Sequence, residues 1–271
     1  MCNSVNIKTL VTWVHYLTLA ETDLDFLEEK THKESSKEFD ESGNLLKEIS
    51  YLPNGDVDEY RENKFDKNNN LILRQSNING EFGDKIEYQY NESGQIIKEI
   101  KHYIDGSTDT IQYKYNTSNN LVEKFCIDCD GELEFKELYE YDNDNHLIKT
   151  ERIEDEETVM IEELKYGTGN QILTKRFVDK LNDQNQVTHY EYNPECYLIK
   201  ESIENDSVTS YEYNDFGQVI IERTLDNADN PRRIIENTWQ EGNLIEQQET
   251  SFTDGIIKEH KIRRTFEYSY F

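Results

Sequence analysis

This chain lacks most of what an ordinary soluble domain is built from. Cysteine is scarce: Cys2, Cys126, Cys129 and Cys196 are the only four in 271 residues, too few for a disulfide framework. No stretch comes near the roughly 20 apolar residues of a membrane-crossing helix, so membrane insertion is not expected. Positive charge is short as well, with 29 Lys and Arg against 57 Asp and Glu and a formal net charge of -28. Phosphate backbones and anionic lipids are bound through an excess of basic residues. Nucleic acid is thereby excluded as a partner, and a basic protein is favoured. The acidity also has a plainer use, since charge on sheet surfaces discourages edge-to-edge association. Hydrophobic residues reach only 35%, against about 45–50% apolar in ordinary soluble domains. A thick two-layer core is hard to build from that, whereas a thin repetitive structure is not. Disorder is excluded by the 18 Tyr and 11 Phe, because disordered segments are poor in aromatic residues.

What the chain does have is a repeat. An aromatic residue, then Asn or Asp, two variable residues, Gly or Asn, a polar residue and two aliphatics first appear at Phe39 (FDESGNLLKE) and Phe65 (FDKNNNLILR). The pattern returns at Tyr90, Tyr115, Tyr141, Tyr166, Tyr192 and Tyr213, and more weakly at Trp239. The steps are 26, 25, 25, 26, 25, 26, 21 and 26 residues. Between the copies lies a second turn signal: Asn54-Gly55, Asn79-Gly80, Asp105-Gly106, Asp130-Gly131 and Asp254-Gly255. Such pairs supply the positive φ that tight hairpins demand. Each repeat therefore reads as two strands joined by turns of alternating type. Helix periodicity is absent from the array.

Within Ile86-Glu-Tyr-Gln-Tyr90 the residues Ile86, Tyr88 and Tyr90 share one face of a strand. The same alternation places Tyr113 with Tyr115, Tyr139 with Tyr141, Tyr190 with Tyr192 and Tyr211 with Tyr213. A fixed register predicts a tyrosine ladder along one face. These ten tyrosines are the candidate binding residues; packing is the competing role for them. The expected fold is all-β: about nine hairpin repeats over residues 39–271 in a long antiparallel meander, twisted and curled because open sheets seldom exceed about 10 strands. Residues 1–38 stand apart. Ile7, Leu10, Val11, Val14 and Leu17 fit one stripe of a helix, and Thr22–Glu29 starts a second, so a short helical cap over the terminal strand is expected. The run from Thr9 to Ala20 is too interrupted by His15 and threonines for a secretory signal. A cytoplasmic location follows, with a secreted or cell-surface one as the alternative.

No catalytic constellation emerges. Cys126-Ile-Asp-Cys129 has metal or redox spacing but lacks a second pair. The acids Glu154–Glu157 lack the ordered Asp/Asn/Gly pattern of a calcium loop. The six histidines, His15, His32, His102, His146, His189 and His260, fall at different repeat phases. No metal, no cofactor and no enzymatic activity are expected.

The repeat resembles the YD repeat of the RHS family, most closely at Tyr141-Asp142 and Tyr213-Asn-Asp-Phe-Gly-Gln-Val219. It departs in three ways: Asp is often Asn, the Arg that follows Gly is replaced by Asn, Gln or His, and the unit is longer. The resemblance implies a bacterial β-shell architecture without the toxin activity, in an array expected to be too short to close a full shell. It implies a non-enzymatic binding or structural scaffold for a protein or glycan. The alternative is an acidic immunity-like protein that neutralises a basic toxin.

Overall fold

In a computed structural model, the structure describes residues 6–19, 27–78, 80–253 and 256–271. Among them the regular elements are all strands. The first ten are β1 (Ile7–Leu19), β2 (Leu27–Phe39), β3 (Leu45–Tyr51), β4 (Val57–Phe65), β5 (Leu71–Ile78), β6 (Glu81–Tyr90), β7 (Ile96–His102), β8 (Thr108–Tyr115), β9 (Leu121–Ile127) and β10 (Leu133–Tyr141). There follow β11 (Leu147–Glu154), β12 (Glu157–Tyr166), β13 (Ile172–Asp179), β14 (Gln184–Tyr192), β15 (Leu198–Ile203), β16 (Ser207–Tyr213), β17 (Val219–Asp226), β18 (Pro231–Gln240), β19 (Asn243–Thr253) and β20 (Ile256–Tyr270). All belong to one sheet. The chain divides into two compact units, one of Met1–Asn69, Arg74–Gly83 and Thr209–Phe271, the other of Asn70–Leu73 and Asp84–Val208.

Two expectations are corrected here. The helical cap is replaced by β1 and the start of β2, with Thr22–Phe26 outside the described residues. In β1 it is Thr12 and Val14 that are buried, at 7% and 6% exposure, and that is the two-residue period of a strand. The meander is also not open. β1 pairs with β2 on one side and with β20 on the other, so the last strand closes on the first. Side chains reinforce this seam. His15 on β1 hydrogen-bonds Thr31 of β2 through Nδ1 at 2.9 Å and Thr265 of β20 through Nε2 at 3.0 Å. Arg264 of β20 reaches across to Glu34 of β2 at 3.1 Å. The edges of β2 and β20 are thus covered by β1.

The turns are more uniform than the alternating types expected. At the repeat motif, Asp40 N–H donates to Asn44 O and Gly43 N–H to Asp40 O, a type I turn followed by a left-handed residue. The same two bonds recur at the second turn, from Leu52 to Asp56 and from Tyr103 to Ser107. There Gly55 and Gly106 have positive φ, at 91° and 87°, while Asn54 and Asp105 do not. Two-residue turns with both φ positive occur at Asp155-Glu156 and Glu241-Gly242. Asn79 and Asp254-Gly255 lie outside the described residues.

The short 21-residue step has a simple geometry. β15 and β16 have 6 and 7 residues where β13 and β14 have 8 and 9. Losing an even number from each strand keeps every side chain on its original face.

The core is as thin as the composition implies. The buried hydrophobic residues are Val14, Cys126, Phe135, Val159 and Ile235, and no described side chain is fully buried. Cohesion must come from the ladder itself and from polar groups that join one repeat to the next. Among the described residues no helix is long and apolar enough to cross a membrane, which says nothing of strands.

Candidate functional site

The motif residues converge on two structures, a seam of aromatic donors and a row of turns. Each seam contact starts from a ladder that stops early. Between β9 and β10 the register ends at Leu138↔Glu123, two residues short of Leu121, and there the Leu121 carbonyl lies beyond the ladder. Tyr141, three residues past Leu138, donates its hydroxyl to that carbonyl at 2.9 Å. The arrangement repeats. Tyr115 donates to Ile96 O at 2.8 Å, Tyr166 to Leu147 O at 2.9 Å and Tyr192 to Ile172 O at 3.0 Å. Tyr90 donates to Leu71 O, Tyr268 to Leu244 O and the Trp239 indole N–H to Val219 O. Phe65 has no donor, and there Asn63 supplies its amide to Leu45 O at 2.9 Å. A carbonyl left unpaired inside a sheet is costly. The recurrent aromatic is therefore a hydrogen-bond donor to the preceding repeat.

The second motif residue is an acceptor for its own turn. Asp40 Oδ1 takes the N–H groups of Ser42 and Asn44 at 2.9 and 2.8 Å. Asn91 Oδ1 does the same for Ser93 and Gln95, and Asn116 Oδ1 for Ser118 and Asn120. These turn bonds need one side-chain oxygen, which Asp and Asn both supply. The second atom bonds the sixth residue, Asp40 Oδ2 accepting from Asn44 and Asn91 Nδ2 donating to Gln95 Oε1, both at 2.9 Å. The fifth residue takes a left-handed φ, as at Gly94 (77°), Asn119 (64°) and Asn145 (65°). The sixth links adjacent repeats. Asn44 donates to Asn69 Oδ1, Gln95 to Asn119 O and Asn120 to Asn145 Oδ1, at 3.2, 3.0 and 3.0 Å. This explains why Asn and Gln occupy a position where the resembling family has Arg.

One turn is off pattern. Cys196 holds the left-handed position at φ 67° and accepts a bond from Gln171 Nε2 at 3.0 Å. A thiol side chain has no local bond to offset that backbone strain, whereas Asn does. Cys196→Asn should raise stability by about 0.5 kcal/mol, read from the urea midpoint at unchanged m-value. A loss of stability would show that the Cys sulfur contributes more than the strain.

The ten candidate tyrosines divide accordingly. Tyr90, Tyr115, Tyr141 and Tyr192 are seam donors, and Tyr166, which sequence reasoning left out of the candidate set, is a fifth. Their upstream partners do not stack on one another. They occupy alternate strands, so the register places Glu99 opposite Tyr88, Lys124 opposite Tyr113, Thr150 opposite Tyr139 and Glu201 opposite Tyr190. The ladder is interleaved with polar groups. Tyr113 donates to Glu99 and Tyr139 to Glu137, both at 2.6 Å. Burial and these carboxylates raise both phenol pKa values. Tyr88, Tyr211 and Tyr213 are also engaged by neighbours. In Ile111–Tyr115 the tyrosine face is half-buried while Gln112 and Lys114 are exposed, so the tyrosines occupy the protected face.

Charge is paired along that face. Glu137 accepts from Lys124 at 3.1 Å and Arg152 at 3.2 Å, and the Arg152 guanidinium lies 3.8 Å from the Phe135 ring centre. Burial pushes the Glu137 pKa upward, but Tyr139, Lys124 and Arg152 outweigh it and hold the carboxyl below its ordinary value. A shallow depression of about 250 Å³ opens beside this cluster, between Glu137, Arg152, Met160, Glu162 and Phe177.

The remaining sequence candidates are dispersed. Cys126 is buried on β9 and Cys129 is exposed at the following turn. Burial and Glu134 push the Cys126 thiol up to about 12. Glu154–Glu157 form a two-residue hairpin turn with Asp155 and Glu156 at its tip. His146 Nδ1 is 3.0 Å from Asp142 Oδ2 and its ring stacks on Tyr166; the Asp142 hydrogen bond raises the His146 pKa.

No curated protein matches the chain in sequence. Among solved structures, that of TcdB2-TccC3-Cdc42 aligns with 81% of this chain at 11% identity and a TM-score of 0.43. A porin-like protein from Bacteroides uniformis aligns with 97% of this chain and 96% of its own, at 9% identity and a TM-score of 0.45. The Photorhabdus luminescens Tc holotoxin pore aligns with 81% at 11% identity and a TM-score of 0.40. The chain spans 15% of the length of the first and the last of these. The family model described as Teneurin YD-shell matches residues 54–235, well over half of the chain and most of its array of aromatic donors and Asx turns. The chain belongs to the Teneurin YD-shell family, a family of the RHS/YD-repeat type.

Proposed function

We propose that this chain is a non-enzymatic structural scaffold, a length of YD shell whose wall holds or presents a protein or glycan partner. The observation that supports it is where the recurrent residues are used. Aromatic donor, turn acceptor and bridging amide are each bonded to their own turn or to the neighbouring repeat. Residues that recur for assembly leave the partner to be met by the sheet's surfaces. The half-buried face carries the tyrosines and the Glu137–Arg152 cluster, and its mix of aromatic, acidic and basic groups suits a polar ligand such as a glycan or a folded protein. A cytoplasmic location is part of this reading, supported by the free thiols of Cys126, Cys129 and Cys196.

The net charge of -28 favours a second reading, in which the chain neutralises a basic toxin through long-range attraction. The two separate by salt. Full-length chain immobilised as bait, with capture from its native source at about 0.1 M and about 1 M salt, spans Debye lengths of about 10 and 3 Å. A partner retained at both concentrations is expected for the scaffold. A small basic protein released at the higher one would replace that reading with the second. Recovery of neither a protein nor a glycan at low salt would remove both.

A further inference from the structure

The Cys-x-x-Cys spacing leads to a ligand set other than the one it suggests. Cys126 Sγ, a carboxylate oxygen of Asp109 and one of Glu134 lie within 4.8 Å of one another. They come from three successive strands, β8, β9 and β10, with Cys126 paired to Ile111 on one side and to Phe135 on the other. The thiol is hidden: Cys126 is 2% exposed. Glu134 is the unmatched residue of a β-bulge, since Leu133 faces Ile127 and Phe135 faces Cys126. A bulge re-aims a side chain, and here the carboxylate comes to the thiol. The cations on the adjoining strands are committed elsewhere. Lys101, opposite Asp109, reaches Asp84 at 4.0 Å, while Lys124 and Lys136 bind Glu137 and Glu123 at 3.1 and 3.0 Å. Tyr103 donates its hydroxyl to Asp109.

We propose that Asp109, Cys126 and Glu134 form a binding site for one divalent cation of the zinc class. A thiolate with two carboxylates is a borderline donor set that zinc accepts. Calcium and magnesium require oxygen ligands throughout and are disfavoured by the sulfur. Zn–S and Zn–O bonds near 2.3 and 2.0 Å place ligand atoms about 3.5 Å apart, within reach of side-chain rotation from groups that lie within 4.8 Å of one another. As the Zn–S bond forms, Cys126 releases its thiol proton to solvent. Water takes the fourth position, and Tyr103 orients the Asp109 carboxylate as an outer-shell partner. Cys129, despite its spacing, is not a required ligand. The ion ties three strands together beside the Asp128–Glu132 turn.

Cadmium is the probe, because a Cd–thiolate bond adds an ultraviolet charge-transfer band that carboxylates cannot give. The reduced full chain is titrated with Cd2+ in excess Ca2+, which occupies exposed carboxylates. In the variant with Cys2, Cys129 and Cys196 all replaced by Ser the band is expected to saturate at one equivalent, and to vanish when Cys126→Ser is added to that variant. Asp109→Asn and Glu134→Gln, which keep side-chain size, should each weaken Zn2+ binding at least about 10-fold by calorimetry. A band that survives Cys126→Ser, the absence of any band, or carboxamide variants that bind like the parent would each overturn the site. Circular dichroism of every variant separates lost binding from lost folding.

Discussion

Val14→Lys should destabilise the chain by about 3 kcal/mol and expose it to association. Val14 is 6% exposed at the middle of the closing strand, in register with His32 of β2 and Arg264 of β20. A buried ammonium there has no acid in register to pair with and adds repulsion to Arg264. An uncompensated buried charge is among the few changes that cost this much. The consequence reaches beyond the site. When β1 leaves, the edges of β2 and β20 lose their partner together, and unpaired edges recruit strands from other chains. Urea unfolding gives the free-energy loss, and size-exclusion chromatography at rising concentration shows the association. A variant that stays monomeric and within 1 kcal/mol of the parent would mean that closure contributes little. Val14→Ile, which keeps the site apolar, should cost less than about 1.5 kcal/mol.

The second large effect comes from the aromatic seam. Tyr115→Phe, Tyr141→Phe and Tyr166→Phe each delete one hydroxyl and leave one carbonyl without its donor. Stranding a buried acceptor costs about 1–3 kcal/mol. These donors are half-buried, so about 1 kcal/mol each is the expected loss and about 3 kcal/mol for the triple variant. The sites lie one repeat apart, or two strand spacings of roughly 4.8 Å each, far enough for near-additivity. The sharpest check is at the repeat that lacks a tyrosine. Because Asn63 donates to Leu45 O in place of Phe65, Asn63→Ala should cost about as much as a Tyr→Phe change. If the tyrosine variants unfold like the parent while Asn63→Ala does not, the shared role assigned to these donors is wrong.

Much of the fold was legible because the repeat writes its geometry into single positions. The left-handed residue of each motif turn must be Gly or Asn-like, and it was visible as such at Gly43, Asn69, Gly94 and Asn119. The shortened step after Tyr192 was visible as a number, although its division into two residues fewer on each strand and one fewer in the turn between them was not. The tyrosines were placed on one face correctly, but as a ladder of rings. The register instead puts Glu99, Lys124 and Glu201 between them, because these tyrosines come from only one of the two strands in their repeats. The amino-terminal strand was misjudged for a physical reason. Ile7, Leu10, Val11, Val14 and Leu17 fit a helical stripe, and the buried residue that breaks the stripe, Thr12, is polar. Its burial depends on β20, some 250 residues away.

Composition and periodicity alone determined that this protein is a thin, all-β array of hairpins. The period-two alternation and the turn residues are local, and local chemistry suffices to specify them. Three things waited for the tertiary structure: that the first strand seals the last, that the recurrent aromatic serves a carbonyl of the preceding repeat, and that Cys126 meets Asp109 and Glu134 instead of Cys129. Each joins residues whose proximity is set by strand register and by bulges. A one-residue change of register would move every such partner to the opposite face.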